Sequence, residues 1–173
     1  MLLYIHQNSN EVTMIKHPIA PVYDKNSKIL ILGSFPSTKS REEMFFYAHP
    51  QNRFWRVLST LLGESLPESV EEKQRLLLKH KIAVWDSIAS CNIVGSSDSS
   101  IKNVVPNNLD IILKSSDIKR IFTNGKTSEK YFKRFNPTLQ SINLPSTSPA
   151  NAAWNFDKLL NEWKIITEYL NED

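Results

Sequence analysis

Lys28-Ile29-Leu30-Ile31-Leu32-Gly33-Ser34-Phe35-Pro36-Ser37 is the stretch from which the architecture of this chain can be read. Its four consecutive aliphatic residues show no polar alternation, so they describe a strand buried on both faces, as in a parallel sheet covered by helices. Gly, Ser and Pro then end it abruptly. The chain enters a loop at the strand's carboxyl end, the edge where open α/β sheets bind ligands. That loop delivers Ala48-His49-Pro50-Gln51-Asn52-Arg53-Phe54-Trp55, which places an imidazole, a carboxamide and a guanidinium beside the rings of Phe45, Phe46, Tyr47, Phe54 and Trp55. Hydrogen-bonding groups interleaved with flat rings suit a planar heterocycle.

Outward from this strand, apolar residues at 54, 57, 58, 61 and 62 predict a helix from Arg53 to Leu62, stopped by Gly63. Pro67 with Glu68, Glu71 and Glu72 marks a second helix start, and that helix runs to Lys79-His80-Lys81. Ile82 to Trp85 reads as a second strand ending at Asp86, and the Ser- and Asn-rich stretch 87–108 as a long loop. Ile118 to Thr123 is a third strand closed by Asn124-Gly125, Lys126 to Phe135 a helix, and Leu139 to Leu144 a fourth strand. Phe156, Leu159, Leu160, Trp163, Ile166, Tyr169 and Leu170 recur at the spacing of one terminal helix. Residues 1–16, with the short apolar Leu2-Leu3-Tyr4-Ile5, read as an irregular lead-in to a single domain over 17–173. This alternation predicts a three-layer α/β/α sandwich around a mostly parallel four-stranded sheet. Right-handed crossovers would gather segments 33–52, 86–107, 124–126 and 145–152 at one edge.

Composition narrows the function classes. A chain of 173 residues with 40% hydrophobic residues builds one good core. No run approaches the roughly 18 apolar residues of a membrane span. The single cysteine, Cys91, excludes an internal disulfide or a cysteine-rich metal site, so a reducing cytoplasm and a small buried thiol are expected. His6, His17, His49 and His80 are scattered without metal-ligand spacing, and no metal is expected. With no nucleophile elbow, Walker loop or Gly-x-Gly-x-x-Gly after a strand, phosphoryl transfer and dinucleotide binding drop out. The net charge of +3 permits a polyanionic partner without demanding one. Lys126, Lys130, Lys133 and Arg134, taken alone, read better as a solvated helix face than as a phosphate track.

The string from Phe46 to Val57, with His49-Pro50-Gln51-Asn52-Arg53-Phe54-Trp55 at its centre, resembles the segment that follows the first motif of mismatch-specific uracil-DNA glycosylases. Gly33-Ser34-Phe35-Pro36-Ser37 lies where that superfamily carries Gly-x-Asp/Asn-Pro. The segments Ala83–Cys91, Ile101–Asn107 and Leu144–Ala152 resemble the branch known as family 6, the hypoxanthine-DNA glycosylases, and the likeness runs from about residue 17 to 165. The resemblance implies a uracil-DNA glycosylase-like fold and an enzyme that needs no cofactor, and a monomer is the default expectation. Its implied activity is to flip a deaminated base out of DNA, hypoxanthine first, and to hydrolyse the N-glycosidic bond. A uracil- or mismatch-directed glycosylase, and a non-catalytic nucleic-acid or nucleotide-binding module, are the alternatives.

Carried over residue by residue, the resemblance assigns the catalytic role to Asn52, whose carboxamide would orient a water. An N-cap is the competing role. Phe46 would be the ring on which the base stacks, or else a core aromatic. Asn124 would meet the base edge, or else form an ordinary Asn-Gly turn. Ser34 and His49 are further base-binding candidates, with a plain turn and a self-fixing loop as their alternatives. Ser146, Thr147, Ser148 and Ser37 are the expected DNA contacts, through hydroxyls and backbone amides. The pattern is broken at Phe35, which can neither orient nor activate water where relatives carry Asp or Asn. Leu144 stands where relatives often begin their second motif with histidine, and Pro149 and Ala150 hold the tip.

Overall fold

Five buried residues in succession, Ile29–Gly33, form strand β2, and because successive side chains point to opposite faces both faces of the sheet are covered here. The computed structural model describes residues 13–172, so Leu2–Ile5 and His6 lie outside the described residues. Beside β2 lies β3 (Ile82–Asp86), also buried throughout, and on its other side β6 (Arg120–Asn124) followed by β7 (Ile142–Leu144). The order β3-β2-β6-β7 is parallel at every pairing. Register aligns Gly33 with Asp86, and Asn124 with Leu144, so the polar segments after the strands do leave from one edge. The α/β sandwich expected from the alternation is the fold observed.

The helices follow their sequence signals. Helix α2 (Phe54–Leu62) buries Phe54, Trp55, Val57 and Leu58 and stops at Gly63, whose φ of +67° is costly for any residue with a Cβ. α3 (Val70–Lys79) begins after Ser69, whose hydroxyl accepts from Glu72 N, while the Glu72 carboxylate accepts from Glu68 N. This reciprocal cap, rather than Pro67, sets the start. α5 (Lys126–Phe135) covers the predicted range. The terminal helix is divided at Lys164 into α6 (Phe156–Trp163) and α7 (Ile165–Leu170). Two short helices, α1 (Thr38–Glu43) and α4 (Asp110–Leu113), have no sequence forecast.

Two expectations are corrected. The Ser- and Asn-rich stretch 87–108 is not a loop: it forms β4 (Ile88–Ile93) and β5 (Lys102–Pro106), joined through a 3-10 turn at Asp98–Ser100. Residues Thr13–Lys16 of the supposed irregular lead-in form β1, which pairs with β4 in a separate antiparallel sheet of order β1-β4-β5. Ile88, Cys91 and Ile93 turn inward with Phe35, Ile101 and Tyr131, while the Ser and Asn residues of β4 stay half-exposed on the other face. An antiparallel sheet with one wet face needs polar residues at alternate positions, and those residues are what made the stretch read as a loop.

Nothing lies within 4 Å of the place a Cβ on Gly63 would take, so Gly63→Ala meets only the left-handed backbone penalty. It should cost about 1–2 kcal/mol. Thermal unfolding should show a Tm lower by about 2–4 °C per kcal/mol, with activity unchanged.

Candidate functional site

Arg53, the last residue before α2, reaches across to the loop after β7. Its backbone N–H and Nε donate to Thr147 O at 3.1 and 3.3 Å, Nη2 to Ser148 O at 2.8 Å and Asn151 O at 3.3 Å, and Nη1 to Trp154 O. Each of these partners is a backbone carbonyl. Burial pulls the guanidinium below its ordinary value, but an arginine stays charged in a protein. One cation therefore fixes the 147–154 loop against the start of α2.

Asn52 takes its place in the same closure. Its Oδ1 accepts from Phe54 N and from the Thr147 hydroxyl, both at 2.9 Å. Thr147 N in turn donates to Asn124 Oδ1, and Asn124 Nδ2 donates back to Thr147 Oγ1, each at 3.0 Å. Phe54 N–H is an obligate donor, so the Asn52 atom facing it is the oxygen. Both lone pairs of that oxygen are then filled and the amide NH2 is the group left to act. The capping role and the site role thus coincide in one side chain.

The structure relocates several candidates. Thr147, an expected DNA contact, is fully buried and its polar atoms are spent on Asn52, Asn124 and Arg53, so it belongs to the wall of the site. Asn124 is held face to face with Thr147 and acts as its clamp. Phe46 is 2% exposed and packs in the core beside Phe45 and His17 rather than offering an open ring. Ser37 caps α1 by accepting from Ser40 N. His49 is exposed and its Nδ1 accepts from Gln51 N, fixing its own loop. The Ser34 hydroxyl donates to Asp98 Oδ1 at 3.2 Å. Desolvation lifts the Asp98 carboxyl above its ordinary range, hydrogen bonds from Ser34 and Thr127 oppose the lift, and the charge of Asp86 adds to it. Phe35 is buried against Ile88 and Cys91, edge-on to the His17 ring at 5.8 Å.

Three residues that were not site candidates converge at the end of β2. Asp86, the last residue of β3, is buried and its Oδ2 is bonded by His17 Nε2 at 2.6 Å. A Cβ on Gly33 would sit 2.3 Å from Asp86 Oδ1 and 3.0 Å from the Tyr47 hydroxyl, so only glycine leaves that space open. Tyr47, at φ +52°, stacks on Phe54 with centroids 4.0 Å apart, and its buried hydroxyl lies beside the Asn124 side chain. Burial first, then the Asp86 charge, pushes this phenol up, with Asn124 working the other way. Asp86 carried a signal, since it ends a buried strand. His17 carried none, and Tyr47 stood out only as one of the flat rings of the 45–55 stretch.

Cavities of about 530 Å³ and 570 Å³ lie elsewhere, one at the opposite sheet edge around Ile118–Ile121 and Tyr169, the other between residues 16–21 and Trp85. Neither is lined by Asn52, Gly33 or Thr147, and the chemistry gathers at the carboxyl edge instead.

Comparison with known proteins points the same way. The family model for the uracil DNA glycosylase superfamily matches residues 20–170. A hypoxanthine DNA glycosylase of Methanosarcina barkeri is 37% identical over 121 residues, spanning 68% of this chain and 76% of that protein. Its counterpart from Methanosarcina acetivorans is 32% identical over 160 residues, spanning 88% of this chain and 98% of that protein. The solution structure of a candidate uracil DNA glycosylase from Methanosarcina acetivorans superposes with a TM-score of 0.76 at 28% identity, covering 92% of this chain and 100% of that one.

Two measurements check the geometry. Lysine is a single point donor and cannot span the carbonyls that Arg53 joins, so Arg53→Lys should destabilise by about 1–3 kcal/mol. Hydrogen exchange should then speed up at residues 147–154 before the rest of the chain opens; protected loop amides would contradict the closure. Tyr47 ionises in the unfolded chain near the ordinary 10.0 but resists in the fold. Its contribution is therefore fully present below pH 10, and stability should fall by about 1.4 kcal/mol per pH unit above it. Tyr47→Phe should flatten that alkaline decline in denaturant titrations.

Proposed function

The chain belongs to the uracil DNA glycosylase superfamily, and from that membership we propose that it is a monofunctional DNA glycosylase releasing hypoxanthine from deoxyinosine in base excision repair. The observation that carries this reading is the likeness to a hypoxanthine DNA glycosylase along 160 residues, 88% of this chain and 98% of that protein. A base inside a duplex is unreachable, so the target must be flipped into the edge formed by 33–52, 86, 124 and 145–152. Bond cleavage leaves positive charge on the sugar and negative charge on the departing base. Water then adds to the sugar carbon, and the proton it sheds balances the charge of the base.

Asn52 holds that water through its free NH2, donating to the water oxygen while Phe54 N and Thr147 keep the side chain from turning. A donor orients a water without deprotonating it, which suffices when the attacked centre is already cationic. In the loop fixed by Arg53, Ser146 Oγ accepts from Ser148 N and Ser148 Oγ from Ala150 N, so each hydroxyl keeps its proton for a phosphate oxygen. The face of α5 fits a solvated surface, with Lys133 paired to Glu129 and Lys130 over Tyr131. Among the described residues no helix is long and apolar enough to cross a membrane. A monomer acting on DNA in a reducing cytoplasm is consistent with the unpaired, buried Cys91.

The decisive experiment is incubation with a duplex carrying one deoxyinosine, with detection of free hypoxanthine and of an alkali-labile abasic site. Asn52→Asp keeps an oxygen for Phe54 N and Thr147 but loses the NH2. It should fold like the parent and slow single-turnover cleavage by about tenfold or more, as should Asn52→Ala. An Asn52→Asp enzyme as fast as the parent would show that the donor is not what the reaction uses.

A further inference from the structure

We propose that Asp98 is the general acid of the reaction, its carboxyl giving a proton to N7 of the departing hypoxanthine where this chain has Leu144 in place of a histidine. The proposal rests on the glycosylase reading and adds to it the group that discharges the base.

The small antiparallel sheet brings this carboxyl to the carboxyl edge. Phe35, where relatives carry Asp or Asn, is turned into that sheet against Ile88, Cys91 and Ile101. The tip between β4 and β5 then returns over the end of β2: Thr38 N donates to Ser96 Oγ at 2.9 Å, Arg41 Nη2 to Gly95 O at 3.2 Å, and Ser34 Oγ to Asp98 Oδ1 at 3.2 Å. Ser34 directly follows β2, and Thr127, which also bonds the Asp98 carboxyl, lies in the first turn of α5 just after β6. Asp98 thus bridges the ends of two paired strands, at the edge where Asn124 and Thr147 hold Asn52. It stays exposed there, open to a bound base.

Other protonatable groups at this edge are engaged. His17 is bonded to Asp86, His49 accepts from the Gln51 N–H of its own loop, and the Tyr47 phenol is pushed up, which makes it a poorer acid. Asp98 differs. It belongs to none of the ion pairs among the described residues, and its two partners are hydroxyls. A hydroxyl donates to a carboxylate and turns to accept from a carboxylic acid, so this group changes protonation without losing its support. Desolvation lifts the carboxyl against the two hydroxyl bonds, and the charge of Asp86 on β3 adds to the lift. Arg41 of α1, the Cys91 thiol of β4, Lys102 of β5, and Lys126, which precedes Thr127 on α5, are the other titratable groups of the elements around it. DNA phosphates at this edge favour the neutral acid further, because like charge opposes ionisation.

The step balances. As the C1′–N9 bond breaks, its electron pair leaves with the purine and the Asp98 proton forms an N7–H bond, so hypoxanthine departs neutral. The water held by Asn52 adds to the cationic sugar carbon and sheds one proton, which restores the Asp98 acid through solvent. N7 is a ring acceptor that purines have and pyrimidines lack, so this acid serves a purine leaving group.

The test is single-turnover cleavage of a duplex carrying one deoxyinosine, with enzyme in excess, from about pH 5 to about pH 9. The acid form is the active one, so the parent rate should hold at low pH and fall by about tenfold per pH unit once Asp98 ionises. Asp98→Asn keeps a partner for Ser34 but has no proton to give. It should bind the duplex as the parent does, cleave about a hundredfold more slowly, and lose the alkaline fall. Asp98→Glu should regain part of the rate together with the pH dependence. A 7-deazadeoxyinosine duplex, with carbon at position 7, should be cut by the parent no faster than Asp98→Asn cuts deoxyinosine. Thermal unfolding checks each variant; should Asp98→Asn fail to fold, the parent's pH profile and the 7-deaza duplex decide. A folded Asp98→Asn as fast as the parent, a parent rate with no alkaline fall, or full-speed cleavage of the 7-deaza duplex overturns the proposal. Hypoxanthine release that ignores Asp98→Asn removes this proposal alone, whereas no release by the parent at any pH removes the glycosylase reading and the proposal with it.

Discussion

The clasp of one guanidinium on a row of backbone carbonyls is the constraint on which the site depends. A loop such as 147–154, turned inward over a sheet edge, buries carbonyl oxygens that neither a helix nor a strand ladder satisfies. Arg53 satisfies those of Thr147, Ser148, Asn151 and Trp154 at once. Because Arg53 follows Asn52 directly, the contacts that anchor the loop also bring the Thr147 hydroxyl onto Asn52 Oδ1. Closing the loop and aiming the carboxamide are one event. A planar fork does this with fixed geometry; a flexible ammonium would not.

The polar atoms around that closure divide into two kinds. Asn124, Thr147 and Asn52 form a network in which each side-chain oxygen accepts a hydrogen bond, as rigid support requires. At Asp86 the arrangement differs: among the described residues His17 bonds Oδ2 and no hydrogen bond reaches Oδ1. Satisfied groups hold the frame. The crowding at Gly33 keeps that position to glycine, since a Cβ there would clash with Asp86 Oδ1.

The small antiparallel sheet has a role beyond burying Phe35 and Cys91. Strand β1 leads straight into His17, whose backbone N–H donates to Ala89 O in β4. Pairing of β1 with β4 therefore sets His17 against Asp86, at the start of the polypeptide's turn onto β4. The 3-10 turn before β5 carries Asp98 to Ser34 in the same way.

Much of the fold could be read from periodicity alone. The apolar runs of β2 and β3, the helical spacing of α2 and α5, and the gathering of strand ends at one edge follow from local patterns of burial. The resemblance to known glycosylases, rather than periodicity, singled out the 49–53 loop and its Asn52. Where local pattern and tertiary context compete, the sequence misled: the Ser and Asn residues of β4 look like a loop because one face of that sheet is wet, and Phe46 looks available because nothing nearby shows what covers it. The contacts that build the site join residues far apart, 69 positions for His17 with Asp86 and 95 for Asn52 with Thr147. A side chain's neighbours in sequence fix its tendency to be buried, but which donor meets which acceptor is settled only when strands and loops are placed in space. For that reason the chain's own order determined the sheet and its carboxyl edge, while the tertiary structure alone decided that Thr147 is wall, Asn124 is its clamp, and Asp86 is paired with His17.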